Sequence, residues 1–197
     1  MWDQRYAAPG YLFGTDPARF LSEHANHLPQ DGRVLCVADG EGRNAAFLAA
    51  RGLDVTAFDA SPVAIGKARK LAEERGVTVH HALADIDDWD WEPGAYDAVV
   101  AIFIQFAPPS MRKRIFEGMK RTLRPGGVLM LHGYRPEQIA HGTGGPPDAE
   151  NLYTEDLLEK AFGDFEILRL ASYEREIEEG KGHVGMSALI DLIAIKP

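Results

Sequence analysis

Val34-Leu-Cys-Val-Ala-Asp-Gly-Glu-Gly-Arg-Asn-Ala45 decides how this chain folds. Its first part, Val34 to Ala38, is an apolar run of strand length, and the turn Asp39-Gly40-Glu41-Gly42 follows at once. Arg43 to about Arg51 then reads as a helix that closes at Gly52, a residue free to take the left-handed conformation a helix end needs. Strand, glycine turn and helix in that order open a parallel sheet covered by helices. Downstream, Val55–Phe58 is a second strand ending at Asp59, and Ser61-Pro62 caps a helix with Ile65, Ala68 and Leu71 on one side, terminated by Gly76. Val77–Ala82 and Ala98–Ile104 are the third and fourth strands. Ser110 is expected to cap a helix carrying Met111, Ile115, Met119 and Leu123, and Pro125-Gly-Gly127 turns into the strand Val128–Leu131. Upstream, Asp16-Pro17 signals a helix with Phe20, Leu21, His24 and Leu28 on one face. After the loop His141–Pro147 comes a helix capped by Thr154, then the strand-like runs Phe165–Ile177 and Gly185–Ile195. The link between them, Glu178–His183, is too short for a helical crossover, so the final strand is expected to run antiparallel.

The 197 residues, 45% hydrophobic and 26% charged, suffice for one domain with a buried core and exclude a disordered or fibrous chain. The formal charge of −9 repels phosphate backbones and anionic lipid, and the one compact basic stretch, Arg112-Lys-Arg114, is too short to override it. Nucleic acid and membrane are therefore not expected as partners. No apolar run approaches the roughly 20 residues of a membrane span, and the opening MWDQRYAAPGYLFG has no secretory pattern, so a cytoplasmic protein is expected. A single cysteine, Cys36, excludes a disulfide framework, and the seven histidines show no zinc spacing, so no metal is expected. The oligomeric state is left open, with a monomer compatible.

Gly40-Glu-Gly42-Arg-Asn-Ala45 has the form G-x-G-x-x-A between a strand and a helix. Such glycines let a ligand approach the backbone closely, while the helix start offers free N–H groups. Asp59, at the tip of the next strand, can accept hydrogen bonds from two ribose hydroxyls. An adenosine-type cofactor follows, against the plain alternative that the glycines only turn the chain and Asp59 only caps a helix. NAD(P) needs a pyrophosphate seat and usually a second domain, for which the length leaves little room. S-adenosylmethionine does not.

Val34–Ala45, with Phe58-Asp-Ala-Ser-Pro62, Ala84-Asp85-Ile86, Tyr96-Asp97 and Leu123-Arg-Pro-Gly-Gly127, resembles the class I S-adenosylmethionine-dependent methyltransferases over residues 33–133. The resemblance implies a Rossmann-like, mostly parallel seven-stranded sheet with an antiparallel last strand and helices on both faces. It also implies one domain over 1–197: a cover segment and helix in 1–30, the cofactor-binding core in 33–133, and a substrate-side loop with antiparallel strands in 134–197. By position it places the cofactor's methionine end over Gly40 and Gly42, beside Ala38, Asp39 and Asn44. Asp59 would hold the ribose, Ala60 and Ser61 would flank the adenine, and Asp85 with Ile86 would meet its far edge. Ile102 and Gln105 would line the reacting sulfonium. Two positions depart from the family: Cys36 stands where an acid is usual and Ala38 where a first glycine is usual. Asp39 is the candidate substitute for that acid. Trp2–Tyr6, Tyr11–Thr15 and Gly142–Pro146 are similar to the small bacterial enzymes related to tellurite-resistance and thiopurine methyltransferases.

The resemblance makes the expected function methyl transfer to a small molecule, a thiol or a chalcogen oxyanion such as tellurite or selenite. A non-catalytic cofactor-binding protein is the alternative, and an NAD(P)-dependent oxidoreductase a weaker one. His132, at the carboxyl end of the fifth strand, is the candidate base or positioning group, with Gln105 beside it. Tyr6, Tyr11, Phe13, Phe106, Tyr134, Arg135 and His141 complete the expected substrate lining. Cys36 reads as core, His24, His27, His80, His81 and His183 as surface or helix-edge residues, and Glu174–Glu179 as a solvated hairpin tip. Ile104-Gln-Phe-Ala-Pro-Pro-Ser110 lacks the amide or acid before the prolines, and the aromatic after them, that amino-methylating DNA enzymes carry.

Overall fold

A computed structural model describes residues 2–197. The chain reverses its direction of growth across the sheet after its third strand. Strand β1 (Arg33–Val37) leads through helix α3 (Arg43–Ala50) to β2 (Asp54–Asp59), then through α4 (Pro62–Glu74) to β3 (His80–Leu83). The chain then returns to the other side of β1 with β4 (Tyr96–Ile102), α5 (Pro109–Thr122) and β5 (Leu123–Tyr134). The remaining helices are α1 (Trp2–Tyr6) and α2 (Arg19–His24) before β1, and α6 (Gln138–His141) and α7 (Glu155–Phe162) after β5. A hairpin of β6 (Glu166–Glu179) and β7 (His183–Ile195) follows α7. The seven strands lie in the order β3-β2-β1-β4-β5-β7-β6. Pairs from β3 to β5 are parallel, whereas β7 is antiparallel to both β5 and β6. The crevice between β1 and β4, where the winding reverses, is where an open α/β sheet holds a ligand.

Alternation along the strands builds the core on both faces. Leu35, Val37, Val99, Leu129 and Leu131 pack with Ile115, Met119 and Phe162 of α5 and α7. Val34, Cys36, Ala98, Val100 and Met130 pack on the opposite face with Phe20 and Leu48. Cys36 is a core residue, as expected from its apolar strand.

The helix expected from Asp16-Pro17 is α2, which starts at Arg19. Asp16 caps nothing because the amides of the first turn are satisfied from elsewhere: Ala18 N–H donates to Asn44 Oδ1 at 2.9 Å and Arg19 N–H to Glu179 Oε1 at 3.0 Å. Helix α5 starts at Pro109, which puts Ser110 inside the first turn rather than at the cap. Strand β3 starts at His80 because Val77 N–H still bonds Ala72 O in the closing turn of α4. Pro125-Gly-Gly127 is part of β5, where the register against β4 shifts. The acidic hairpin end is not wholly solvated, since Glu179 is buried and pairs with Arg43 at 2.7 Å. Among the described residues, no helix is long and apolar enough to cross a membrane.

Candidate active site

The turn after β1 supplies the floor of the site. Ala38 takes φ +47°, a left-handed conformation that costs a residue with a Cβ roughly 1–2 kcal/mol, so the backbone keeps the glycine-like path without the glycine. Gly40 N–H donates to Asp59 Oδ2 at 2.9 Å, and Ser61 N–H to Oδ1 at 2.9 Å. These two bonds fix the Asp59 carboxylate across the crevice from the turn. Burial pushes its pKa up, against the pull of those amides. Gly40 leaves open backbone: a Cβ there would come 2.8 Å from the hydroxyl of Tyr6. Gly42 has another role. A Cβ on it would meet Ala68 Cβ at 2.6 Å, so this glycine lets α3 lie against α4 and does not reach the cavity.

A cavity of about 680 Å³ opens over this floor. Ala38, Asp39, Gly40, Asn44, Asp59 and Ala60 line one end, and Asp85 with Ile86 continue it. Ile102, Phe103, Gln105 and Phe106 after β4 form the far wall with Met111, Tyr134 and Asn151. Trp2, Arg5, Tyr6 and Phe13 roof it. The roof is fastened by Lys67, whose Nζ donates to Ala8 O at 2.9 Å, Gly10 O at 2.6 Å and Glu41 Oε1 at 2.9 Å. Glu41 Oε2 in turn accepts the Leu12 N–H at 2.7 Å.

Six expected site residues lie outside this lining: Gly42, Ser61, Tyr11, His132, Arg135 and His141. Ser61 caps α4 through Ala64 N–H, and Tyr11 Oη bonds Lys67 O at 3.3 Å. Arg135 turns to Glu137 at 3.6 Å and His141 to Glu174 at 3.3 Å. His132 is the most consequential displacement. It is buried, stacked on Phe20 at 4.8 Å, with Nδ1 2.7 Å from Asp191 Oδ1. Asp191 also accepts from Arg169 Nε at 2.8 Å and Tyr173 Oη at 3.0 Å. Burial works against its charge, yet the bonds from His132, Arg169 and Tyr173 hold its carboxyl below the ordinary range. His132 is thus an anchor behind Phe103, whose ring it meets edge-on at 4.9 Å. Gln105 lines the cavity, but both ends of its carboxamide are bound to the backbone of Tyr134.

His183 lines the cavity instead of lying at the surface. Its ring is sandwiched between Phe13 at 4.4 Å and Phe103 at 4.2 Å, and its Nδ1 meets the Tyr134 hydroxyl. Burial, with Arg43, His132 and Arg5 nearby, pushes its pKa down to about 3, so it is neutral at ordinary pH. A histidine in Gly180-Lys-Gly-His183 carries no sequence signal for this position, since only the hairpin geometry brings it under the roof. Arg5, Phe103, Met111 and Asn151 are likewise missed, and the φ of +56° at Phe103 is invisible without coordinates.

These residues suit an adenosine cofactor. Gly40 provides the close approach, Asp59 retains lone pairs for hydroxyls, and the cavity lies at the reversal of winding. Residues 34–127 match the methyltransferase domain family. The tRNA 5-carboxymethoxyuridine methyltransferase of Escherichia coli K12 is 34% identical over 119 residues, 58% of this chain and 43% of that protein. The demethylmenaquinone methyltransferase of Thermus thermophilus is 33% identical over 106 residues, 53% of this chain and 48% of that protein. The chain therefore spans less than half the length of these relatives. The crystal structure of TehB from Haemophilus influenzae superposes with a TM-score of 0.73 at 20% identity, covering 100% of this chain and 66% of that one. Over residues 34–127 the chain is thus similar to methyltransferase domains, and its sheet has the same fold as the TehB structure. The tRNA-acting relative leaves the expected exclusion of nucleic acid unsupported.

Proposed function

We propose that the protein transfers the methyl group of S-adenosylmethionine to a small-molecule acceptor, a soft nucleophile of the thiolate or chalcogen-oxyanion kind. The observation that carries this reading is one continuous cavity of about 680 Å³. Its floor offers Gly40 and Asp59 to an adenosine, and its far end is walled by Phe13, Phe103, Phe106 and His183. Ligand pockets of this kind run from about 300 to 1,000 Å³, so a bound cofactor leaves room for only a compact acceptor. S-adenosylmethionine supplies a methyl group already activated on a sulfonium. Asp59 would fix the ribose, the aromatic wall would exclude water and favour the cation, and the closed roof would hold the two reactants in line. The side chains at the far wall provide no strong base, because a histidine with a pKa near 3 takes up protons poorly. An acceptor that ionises unaided fits such a wall, with Arg5 as the cation at the roof.

A second reading, a tRNA acceptor, has the Escherichia coli relative in its favour. The test is release of S-adenosylhomocysteine with thiols, tellurite, selenite, phenols and unfractionated tRNA as acceptors. Turnover with a thiol or chalcogen oxyanion supports the proposal, and turnover with tRNA alone overturns it. Cofactor binding without turnover on any acceptor would favour a binding protein, and binding of NAD(P) in place of S-adenosylmethionine an oxidoreductase.

A further inference from the structure

Two carboxylates on the floor of the cavity, Asp39 and Asp59, have no cation; Asp59 is held by the amides of Gly40 and Ser61, whereas Asp39 has a single amide. Asp39 lies at the end of β1 and lines the cavity beside Gly40 and Asn44. Its Oδ2 accepts the Ala45 N–H at 3.2 Å. Among the described residues, no lysine, arginine or histidine nitrogen forms an ion pair with it within 4.0 Å. Arg43, four residues on at the start of α3, spends a guanidinium nitrogen on Glu179 at 2.7 Å. Cys36 is 1% exposed in the core and lines no part of the cavity, so β1 itself presents nothing charged.

Asp39 is half-buried, and a carboxylate partly withdrawn from water beside a ligand cavity is costly unless the ligand brings the opposite charge. An adenosine cofactor of this class has an amino-acid end with an α-ammonium group. Asp59 sits on the ribose side of the turn, which leaves the Asp39 side for that end. We infer that Asp39 is the residue that holds the α-ammonium group of S-adenosylmethionine and S-adenosylhomocysteine. The inference rests on the proposed cofactor reading and assigns its charge recognition to this one side chain. The groups around Asp39 are Cys36 on β1, Asp59 on β2, Arg43 and Asn44 on α3, and Tyr6 on α1. Burial pushes the Asp39 carboxyl up to about 7, against the Ala45 amide, Arg43 and Asn44, and Asp59 adds to the rise. An ammonium arriving beside it favours the ionised form, so binding near neutral pH expels part of a proton.

The experiment is calorimetric titration of the wild type and Asp39→Asn with two ligands. S-adenosylhomocysteine has the amino-acid end. 5′-Methylthioadenosine shares the nucleoside and lacks it. Titrations at pH 6 and pH 8, in buffers of different ionisation enthalpy, count the protons released. The expected result is that Asp39→Asn weakens S-adenosylhomocysteine about tenfold or more and 5′-methylthioadenosine by less than about twofold. Proton release on S-adenosylhomocysteine binding should disappear in the variant. The 5′-methylthioadenosine titration corrects for Asp59, which both ligands reach. Equal weakening of both ligands, or unchanged S-adenosylhomocysteine affinity with proton release intact, overturns the assignment. Failure of both ligands to bind the folded wild type removes the cofactor reading itself, and the assignment with it.

Discussion

Gln105 and Tyr134 are joined like two paired backbone segments. Gln105 Nε2 donates to Tyr134 O at 2.8 Å, and Tyr134 N–H donates to Gln105 Oε1 at 2.6 Å. Gly133 makes this possible, since a Cβ there would meet Oε1 at 2.6 Å. The loop after β4 is thereby locked to the end of β5, and the far wall of the cavity is held by a side chain acting as backbone. Gln105→Leu leaves the Tyr134 amide unpaired, while Tyr134 O keeps the Tyr153 N–H at 3.0 Å. The expected loss is about 1–3 kcal/mol in urea unfolding, the cost of one buried unsatisfied amide. A loss of activity with unchanged stability would instead point to Gln105 touching the reactants.

Gly40 and Gly42 should separate on substitution. Gly42→Ala, at φ +88°, drives a Cβ into Ala68, and about 2–4 kcal/mol of stability should go with cofactor affinity of the folded protein kept within about twofold. Gly40→Ala, at φ +61°, meets only the movable end of Tyr6. The stability loss should be smaller, about 1–2 kcal/mol, and S-adenosylhomocysteine affinity should fall because the roof is lifted. Paired thermal melts and titrations decide; the reverse pattern would put Gly42 at the cofactor.

Asp39→Asn should make the empty protein more stable at pH 8. The folded-state pKa of Asp39 is raised from 3.8 to about 7, so the folded chain binds the extra proton between those values and loses stability as pH rises through them. Removing the charge relieves that penalty, on the order of 2 kcal/mol after screening by solvent. The gain should shrink towards pH 4. Unfolding curves of the two proteins at pH 4, 6 and 8 measure it, and a variant less stable at pH 8 would contradict the sign.

His183 should make the protein acid-sensitive. Its folded pKa is near 3 against 6.5 for the ordinary side chain, so below pH 6.5 the unfolded chain gains a proton that the folded one refuses. Stability is complete above 6.5 and declines as pH falls towards 3. Between pH 7 and 4.5 this group should account for about 2–3 kcal/mol. His183→Phe should flatten that part of the profile relative to wild type, whatever its effect at neutral pH. Parallel profiles for the two proteins would count against a buried neutral imidazole.

The sheet was legible because β1, β2, β4 and β5 are apolar runs punctuated by Gly42, Gly52, Gly76 and Gly127, and the short link before His183 permitted only an antiparallel return. The lining around Gly40, Asp59 and Asp85 was legible for the same reason: they lie at or just after strand ends at fixed offsets. The opposite wall was not. It is assembled from α1, the loop after β4, the short turn Ala149–Asn151 and the hairpin tip, whose mutual approach no spacing encodes. His132 misled because a strand's carboxyl end has two faces, and its side chain takes the one closed by Phe20 and Asp191. The start of α2 misled because local cap chemistry at Asp16-Pro17 was outweighed by partners distant in the chain.

That borrowed capping also ties α2 to parts of the chain far from it in sequence. The amides of Ala18 and Arg19 wait for oxygens 26 and 160 positions away. Loop-closure entropy alone makes the longer of the two contacts about 1.5 kcal/mol dearer to form. The start of α2 has its caps only when α3 and the β6–β7 hairpin are both in place to deliver Asn44 and Glu179. The hairpin tip thus acts as a strap on the chain between the roof and β1, and a proteolytic nick there would loosen the start of α2 while leaving the parallel strands paired.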